Sequence, residues 1–416
     1  MINKKRKILV CAYSCEPGFS SEREIGWKWA NLLSTNNDVY VLTRLSNKLT
    51  IENYIKKNNI NTELKFIYHD LPDSARKWKK GERGLYLYYT LWQFGAYKKI
   101  KRMNERFDFI HYVTFGSLLL PNFMFLLPCK FVLGPVGGGE NVPLAFINEF
   151  TFKGKVSEII RHTIQKLQKI NPMFLLQCIK ADKILVRTNE TLDMIPNFAK
   201  NKTELMLETG VPEELLDYKS KSLKSSDEIK IITIGRFIHS KINLLTLKVI
   251  LELKNIYQIP FKFYIVGDGH ERASLERFCK DNNLSDTVIF TGWIPRAEVI
   301  EHLSTSDIYF STTFKEGGSW AFFEAVAMGI PVCCLKISGP DMIVANNGGL
   351  KIVPCSPKQV IADLSKALNV LSTDAILREK LAKNAKNHLM SEMTWGVMMD
   401  RVNNIYRELE SDTNNL

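Results

Sequence analysis

The sequence predicts an α/β protein made of two doubly wound parallel sheets, and three observations carry that prediction. Short β-rich runs alternate with helix-length segments along most of the chain, which requires parallel strands covered by helices on both faces. At 416 residues with 45% hydrophobic composition, the chain exceeds what one core of ordinary size fills. The alternation lapses in a polar, serine- and lysine-rich stretch within Glu213–Glu228, where a linker belongs.

From Ile229 onward the runs read IKIITI, then a helix over Ile242–Tyr257; FKFYIV, then Glu271–Asn282; VIFT, then Ala297–Ser304; IYFS, then Trp320–Met328; and PVCCL. The first half repeats the rhythm more loosely, with KILVCAY, DVYVLTR, ELKFIYH, FDFIHYV, KFVLGP and KILVRT as strands. The expected division is residues 1–215, a linker at 216–228, a second domain at 229–390 and a C-terminal segment at 391–416. That last segment holds an amphipathic helix over Thr394–Glu410, for which packing back on the N-terminal domain is one destination; periodicity does not choose it.

The longest apolar stretch, Phe115–Leu127, is broken by Gly116, Ser117, Pro121 and Asn122 and falls short of the ~20 residues of a spanning helix. The basic start followed by a short apolar run lacks a small-residue cleavage site, so it reads as a first strand and the protein as soluble and cytoplasmic. Eight cysteines without a C-x-x-C pair or companion histidines suit reduced core thiols better than a zinc site or a disulfide framework. The net charge of +12 is uneven: residues 1–215 carry 32 basic against 21 acidic side chains, and the remainder is balanced at 24 against 23.

The densest chemical signal is KEGGSWAFFEAVAMGIPV, Lys315–Val332. Gly317, Gly318 and Ser319 precede a helix that stops at Gly329, and free amides at a glycine-rich helix start seat phosphate. Glu316 in the loop and Glu324 inside the helix are placed to address different ends of one elongated ligand. In IGRFIHSK, Gly235 ends a strand, and Arg236 and Lys241 are two cations suited to clamp a diphosphate. VGDG, with Gly267, Asp268 and Gly269, again follows a strand. Alone it reads equally as a tight turn, because Arg272 stands where a dinucleotide fingerprint needs glycine. All three fall where doubly wound sheets bind ligands.

Taken together, G-R-x4-K, V-G-D-G and E-G-x6-E-A-x-A-x-G-x-P-V resemble the donor domain of retaining glycosyltransferases of the GT-B fold, in the broad family numbered four, the group 1 glycosyltransferases. With the N-terminal features the resemblance covers nearly the whole chain. It implies two Rossmann-like domains facing across a cleft, the first for the acceptor and the second for the nucleotide sugar. It implies that Arg236 and Lys241 bind the donor diphosphate, that Glu316 with the amides of Gly317 and Gly318 holds the transferred sugar, and that Glu324 accepts the ribose hydroxyls. The donor is then a UDP- or GDP-linked hexose. No metal or other cofactor is implied, since the two cations replace a divalent ion and no DxD pair ends a strand.

The chain departs from the pattern at Ile242 after Lys241, at Gly318-Ser319 in place of a proline, and at Asp341 as the acidic residue near Gly339-Pro340. These departures bear on donor identity more than on reaction class. A sugar-nucleotide epimerase or phosphorylase on the same fold stays open as an alternative, and behind it a basic nucleic-acid-binding protein.

In the first half, CEPGFSSEREIGWKWA places Gly18, Ser20 and Ser21 before a helix, a loop suited to capping the donor phosphates. Arg23 and Glu24 replace the proline and glycine of relatives and make that loop bulkier. GPVGGGE lacks the ending of a P-loop, and Gly137, Gly138, Gly139 and Glu140 are read as a sugar or acceptor contact ahead of a simple turn. His111 is placed at the end of its strand, facing the cleft, as a candidate at the donor sugar and equally as a hydrogen-bonded structural residue. No enzyme nucleophile is assigned.

The stretch 76–106 interleaves Arg76, Lys77, Lys79, Lys80, Lys98 and Arg106 with Tyr86, Trp92 and Tyr97. Basic flanks with interfacial aromatics suit an anionic membrane surface, at the inner face where a lipid-linked acceptor for cell-surface polysaccharide would lie. An ordinary half-buried helix gives the same pattern. Nucleic acid is not an expected partner, because no base-reading motif accompanies the charge.

Overall fold

The structure is a computed structural model that describes residues 5–18, 22–60, 62–76, 84–218 and 228–414. It contains two all-parallel sheets. The first has seven strands: β1 (Lys7–Ala12), β2 (Asp38–Arg44), β3 (Lys65–His69), β4 (Phe109–Thr114), β5 (Lys130–Val136), β6 (Lys183–Val186) and β7 (Thr203–Leu205), in the order β3-β2-β1-β4-β5-β6-β7. The second has six: β8 (Ile229–Ile234), β9 (Phe261–Val266), β10 (Val288–Gly292), β11 (Ile308–Ser311), β12 (Val332–Leu335) and β13 (Gly349–Ile352), in the order β10-β9-β8-β11-β12-β13. Strand order reverses between β1 and β4 and again between β8 and β11, which defines the switch point of each sheet.

The central strands are buried along most of their length: β4 and β11 expose no residue, the mark of a parallel sheet covered on both faces. Each sheet has its own core. Leu9, Trp92, Ile110, Phe131 and Ile184 close the first, and Ile231, Val249, Phe263, Phe310 and Leu368 close the second. Each such side chain contributes about 1.5–3 kcal/mol by leaving water.

The chain divides into two compact units, residues 1–139, 163–208 and 399–416 in one and residues 140–162 and 209–398 in the other. This corrects the boundaries drawn from the sequence. Val142, Phe146 and Phe150 enter the core of the second sheet, where Phe146 and Phe150 lie 4.9 and 6.1 Å from the Phe314 ring. The Val211 amide donates to the Met393 carbonyl at 3.0 Å, which ties the chain just before the expected linker into the same unit. Residues 219–227 of that linker lie outside the described residues.

The C-terminal helix, Trp395–Asn414, ends in the first unit. Tyr406 is fully buried there, Arg6 grips Glu410 through two bonds of 2.6 and 2.8 Å, and Arg401 reaches Glu204 at 2.5 Å. All eight cysteines are free. Six are buried, but Cys129 is half-buried and Cys355 is exposed, so the reading of all eight as core thiols is corrected at those two positions.

Candidate functional site

The six-stranded sheet assembles its site at the carboxyl ends of β8 and β11, on either side of the switch point. Beyond β8, the loop Gly235–Asn243 is folded on itself: the Ile238 amide donates to the Arg236 carbonyl at 3.0 Å and the Lys241 amide to that of Ile238 at 2.9 Å. Asn243 then caps the next helix, accepting from the Leu245 amide at 2.9 Å. The Phe314 amide donates to the Ser240 carbonyl at 2.9 Å and the Phe237 amide to that of Asp268 at 3.0 Å, so the loops after β8, β9 and β11 are joined through backbone bonds.

The loop after β11 carries Lys315 to Ser319 into the helix Trp320–Ala327. The amides of Gly317, Gly318, Ser319, Trp320 and Ala321 have no acceptor among the described residues, and the Ser319 hydroxyl makes no capping bond. Helix-start amides left over in this way favour an anion. Lys241 Nζ lies 2.6 Å from Glu316 Oε2 and donates to Oε1 at 2.9 Å. Arg236, on the same loop, is exposed and has no ion-pair partner among the described residues.

Glu324 is buried within the helix and lies 3.1 Å from Arg296. Burial pushes its carboxyl up to about 7, against the pull of Arg296 and with Glu214 adding to the rise. Arg296 also bonds Glu214 at 2.7 Å and stands 5.0 Å from the Trp320 ring centre. The fully buried Tyr309 of β11 is held well above the usual phenol range by burial and by the charges of Glu316 and Glu324.

Sequence reasoning missed Arg296, which opens a helix after a proline and carries no motif of its own. It also missed Glu158, a fully buried carboxylate that accepts from His239 at 2.7 Å and from Lys315. Burial alone would raise Glu158, but the hydrogen bonds from His239 and Lys315 outweigh it and hold the group at about 2. His239 and Lys315 belong to the two loops that carry Lys241 and Glu316, so Glu158 ties one loop to the other.

The remaining expected residues have other surroundings. Gly267, at φ +135°, could not carry a side chain, because a Cβ would lie 2.0 Å from the Gly235 carbonyl. Asp268 is committed to the Gly269 amide at 2.7 Å and to Arg272 at 2.9 Å. Asp341 pairs with Lys351 at 2.6 Å.

In the first unit, Gly18 takes a left-handed φ of +80°, while Ser20 and Ser21 lie outside the described residues. The reading of Gly137–Gly139 as open to a substrate is corrected. All three are buried, the Gly137 amide donates to the Gly116 carbonyl at 2.9 Å, and the Gly139 amide donates to the Thr191 hydroxyl at 3.2 Å. At Gly139 the lack of a side chain is a packing requirement, since a Cβ would lie 2.1 Å from the Glu190 carbonyl, and at Gly138 the φ of +135° favours glycine. Glu140, which opens a segment of the second unit, is buried and lies 3.7 Å from Arg161.

His111 takes the structural one of its two readings, and its expected position is corrected. It lies in the middle of β4, fully buried, with Nδ1 2.5 Å from the Tyr406 hydroxyl and Nε2 2.8 Å from the Gly134 carbonyl. The carbonyl can only accept, so Nε2 carries the proton and Nδ1 accepts from Tyr406. Burial lowers its pKa to about 4, and both nitrogens are occupied.

Comparison with known proteins gives this geometry its relatives. Residues 216–388 match the family model described as glycosyl transferases group 1. The chain is 26% identical over 175 residues to the lipopolysaccharide core biosynthesis glycosyltransferase LpsD of Rhizobium meliloti strain 1021, covering 42% of this chain and 48% of that one. Alignments to the first curated relatives span about half to two thirds of their length. Among solved structures, sucrose-phosphate synthase from Thermosynechococcus elongatus superposes with a TM-score of 0.67 at 16% identity, covering 98% of this chain and 100% of that one. Anabaena Alr3699/HepE, solved with UDP and glucose, gives 0.57 at 14% identity, covering 99% and 100%. At such identities the likeness is one of fold, two Rossmann-like sheets of the GT-B class. The matched segment builds the six-stranded sheet and its switch-point loops, and in that segment the chain is similar to the group 1 glycosyl transferases.

Proposed function

We propose that this protein transfers a hexose from a UDP- or GDP-linked donor to a glycan or lipid-linked acceptor in cell-surface polysaccharide synthesis, with retention at the anomeric carbon. The observation that carries the reading is the contact of Lys241 with Glu316 beside a run of unused helix-start amides. It supports a site in which ammonium and amides meet a diphosphate while the carboxylate turns to the sugar. The names of LpsD, a lipopolysaccharide core enzyme, and of the HepE complex with UDP and glucose support the acceptor class and the donor class.

In the reaction, the bond from the anomeric carbon to the diphosphate oxygen breaks, and the acceptor oxygen bonds to that carbon on the same face. The acceptor's hydroxyl proton passes to the departing diphosphate. Arg236 and Lys241 stabilise the charge that develops on the leaving group, and Glu316 orients the sugar. Because two cations serve the diphosphate, the reading includes turnover without a divalent metal.

Calorimetric titration with UDP and GDP tests the site. Lys241→Ala should weaken the preferred nucleotide by about 10- to 100-fold, the loss of a hydrogen bond to a charged group. Arg236→Ala and Glu316→Ala should each abolish transfer in a folded protein, and chelation should leave wild-type turnover unchanged. Wild-type turnover by both variants would refute the assignment. Conversion of a sugar nucleotide without acceptor would move it to an epimerase.

A further inference from the structure

The helix Phe152–Gln168 is amphipathic in the inverted sense. Three of its polar side chains face the protein: Glu158, Gln165 and Gln168 are buried, with Gln165 donating to the Gly138 carbonyl at 2.5 Å and Gln168 to that of Leu118 at 2.6 Å. Its apolar side chains face outward. Phe152 is 80% exposed, Ile159 and Ile160 53% each, Leu167 55%, and Ile170, just past the helix, 72%. A polar face satisfied by the protein and an apolar face left to solvent is the reverse of a helix seated on a core.

We propose that this outward face docks on an anionic lipid surface, with the helix lying in the plane of the interface. Two observations choose lipid over a second copy of the chain. Lys153, Lys166 and Lys169 are exposed along the same helix and its end, and the helix's one acidic residue, Glu158, is buried. An isologous dimer through this face would set lysines against lysines with no carboxylate to answer them. Anionic headgroups answer them directly, and an apolar stripe edged by lysines suits the boundary between headgroups and acyl chains. Among the described residues no helix is long and apolar enough to cross a membrane, so contact at this helix is peripheral.

The proposal moves the membrane contact away from residues 76–106. Residues 77–83 of that stretch lie outside the described residues, and its helix Leu85–Arg102 turns Tyr89, Trp92 and Ala96 into the core while leaving Tyr86 and Leu87 exposed. Binding is read without donor or acceptor, so it stands or falls apart from the proposed activity.

The test is co-sedimentation of the full chain with vesicles of phosphatidylcholine, alone and mixed with phosphatidylglycerol, at low and high salt. Wild type should partition onto the anionic vesicles and be released by salt. Ile160→Ser with Leu167→Ser should lower partitioning by at least about 10-fold. Lys166→Glu with Lys169→Glu should abolish the preference for anionic lipid. Both pairs are exposed, and circular dichroism checks that they fold. Tyr86→Ser with Leu87→Ser should bind as wild type. Failure of wild type to bind, binding unchanged by the helix substitutions, or loss caused by the Tyr86/Leu87 pair alone would overturn the proposal. So would a wild-type dimer in sedimentation equilibrium that Ile160→Ser with Leu167→Ser dissociates.

Discussion

At neutral pH the Glu324 carboxyl stands between its charged and neutral forms, since burial raises it to about 7 while Arg296 pulls the other way. If its ionised form receives the donor's ribose hydroxyls, nucleotide affinity rises with pH through about 7 and declines below it, by up to about tenfold per pH unit. Titrations of UDP or GDP at a series of pH values should show that slope, and Glu324→Gln should flatten it. An unchanged slope in the variant would remove Glu324 from the nucleotide. Legibility at this scale was uneven. Lys241, Glu316 and Glu324 announced themselves because motif spacing places them near strand ends of one sheet. Arg296 did not, since its meaning comes from two carboxylates, Glu324 and Glu214, and an indole that the fold brings to it.

Among elements, strands were the most readable: eleven of the thirteen coincide with runs that the alternation marked. The two it passed over are short edge strands, β7 with three residues and β13 following Asn-Asn-Gly, where neither alternation nor a buried run has room to appear. The glycines of GPVGGGE misled for a related reason. A run of glycines in sequence does not say whether a substrate or the chain itself occupies the space, and at Gly139 it is the backbone of Glu190. Glu158 was invisible because its partners lie 81 and 157 residues away. Its role as a clamp gives a prediction for the loops it joins. Glu158→Gln removes the charge shared by His239 and Lys315 and should destabilise the second unit by about 3 kcal/mol, as breaking a buried pair does. Because Lys241 and Glu316 ride on those loops, nucleotide affinity should fall as well. A variant with wild-type melting and wild-type affinity would show that the loops hold their positions without the clamp.

Over the whole molecule, the two units carry titratable groups of opposite tendency. In the first, His111 is buried neutral with its pKa lowered to about 4, against an ordinary value of 6.5. A depressed value means that stability is fully present above 6.5 and is lost as pH falls toward 4, by about 3 kcal/mol in all. In the second, Glu324 is raised from 4.5 to about 7, so its effect is the reverse: stability is greatest below 4.5 and declines as pH rises through 7. Glu158, held at about 2, stays ionised throughout this window and weakens the second unit only under stronger acid. Acidification from about pH 7 toward 5 should therefore lower the melting of the first unit while raising that of the second. Differential scanning calorimetry should show two transitions that separate as pH falls. Tyr406→Phe, which takes the donor from His111, should lower the first transition alone, and Glu324→Gln should remove the pH dependence of the second. Two transitions that descend in parallel on acidification, or a Tyr406→Phe protein in which the second moves, would contradict the assignment of these groups to separate cooperative units.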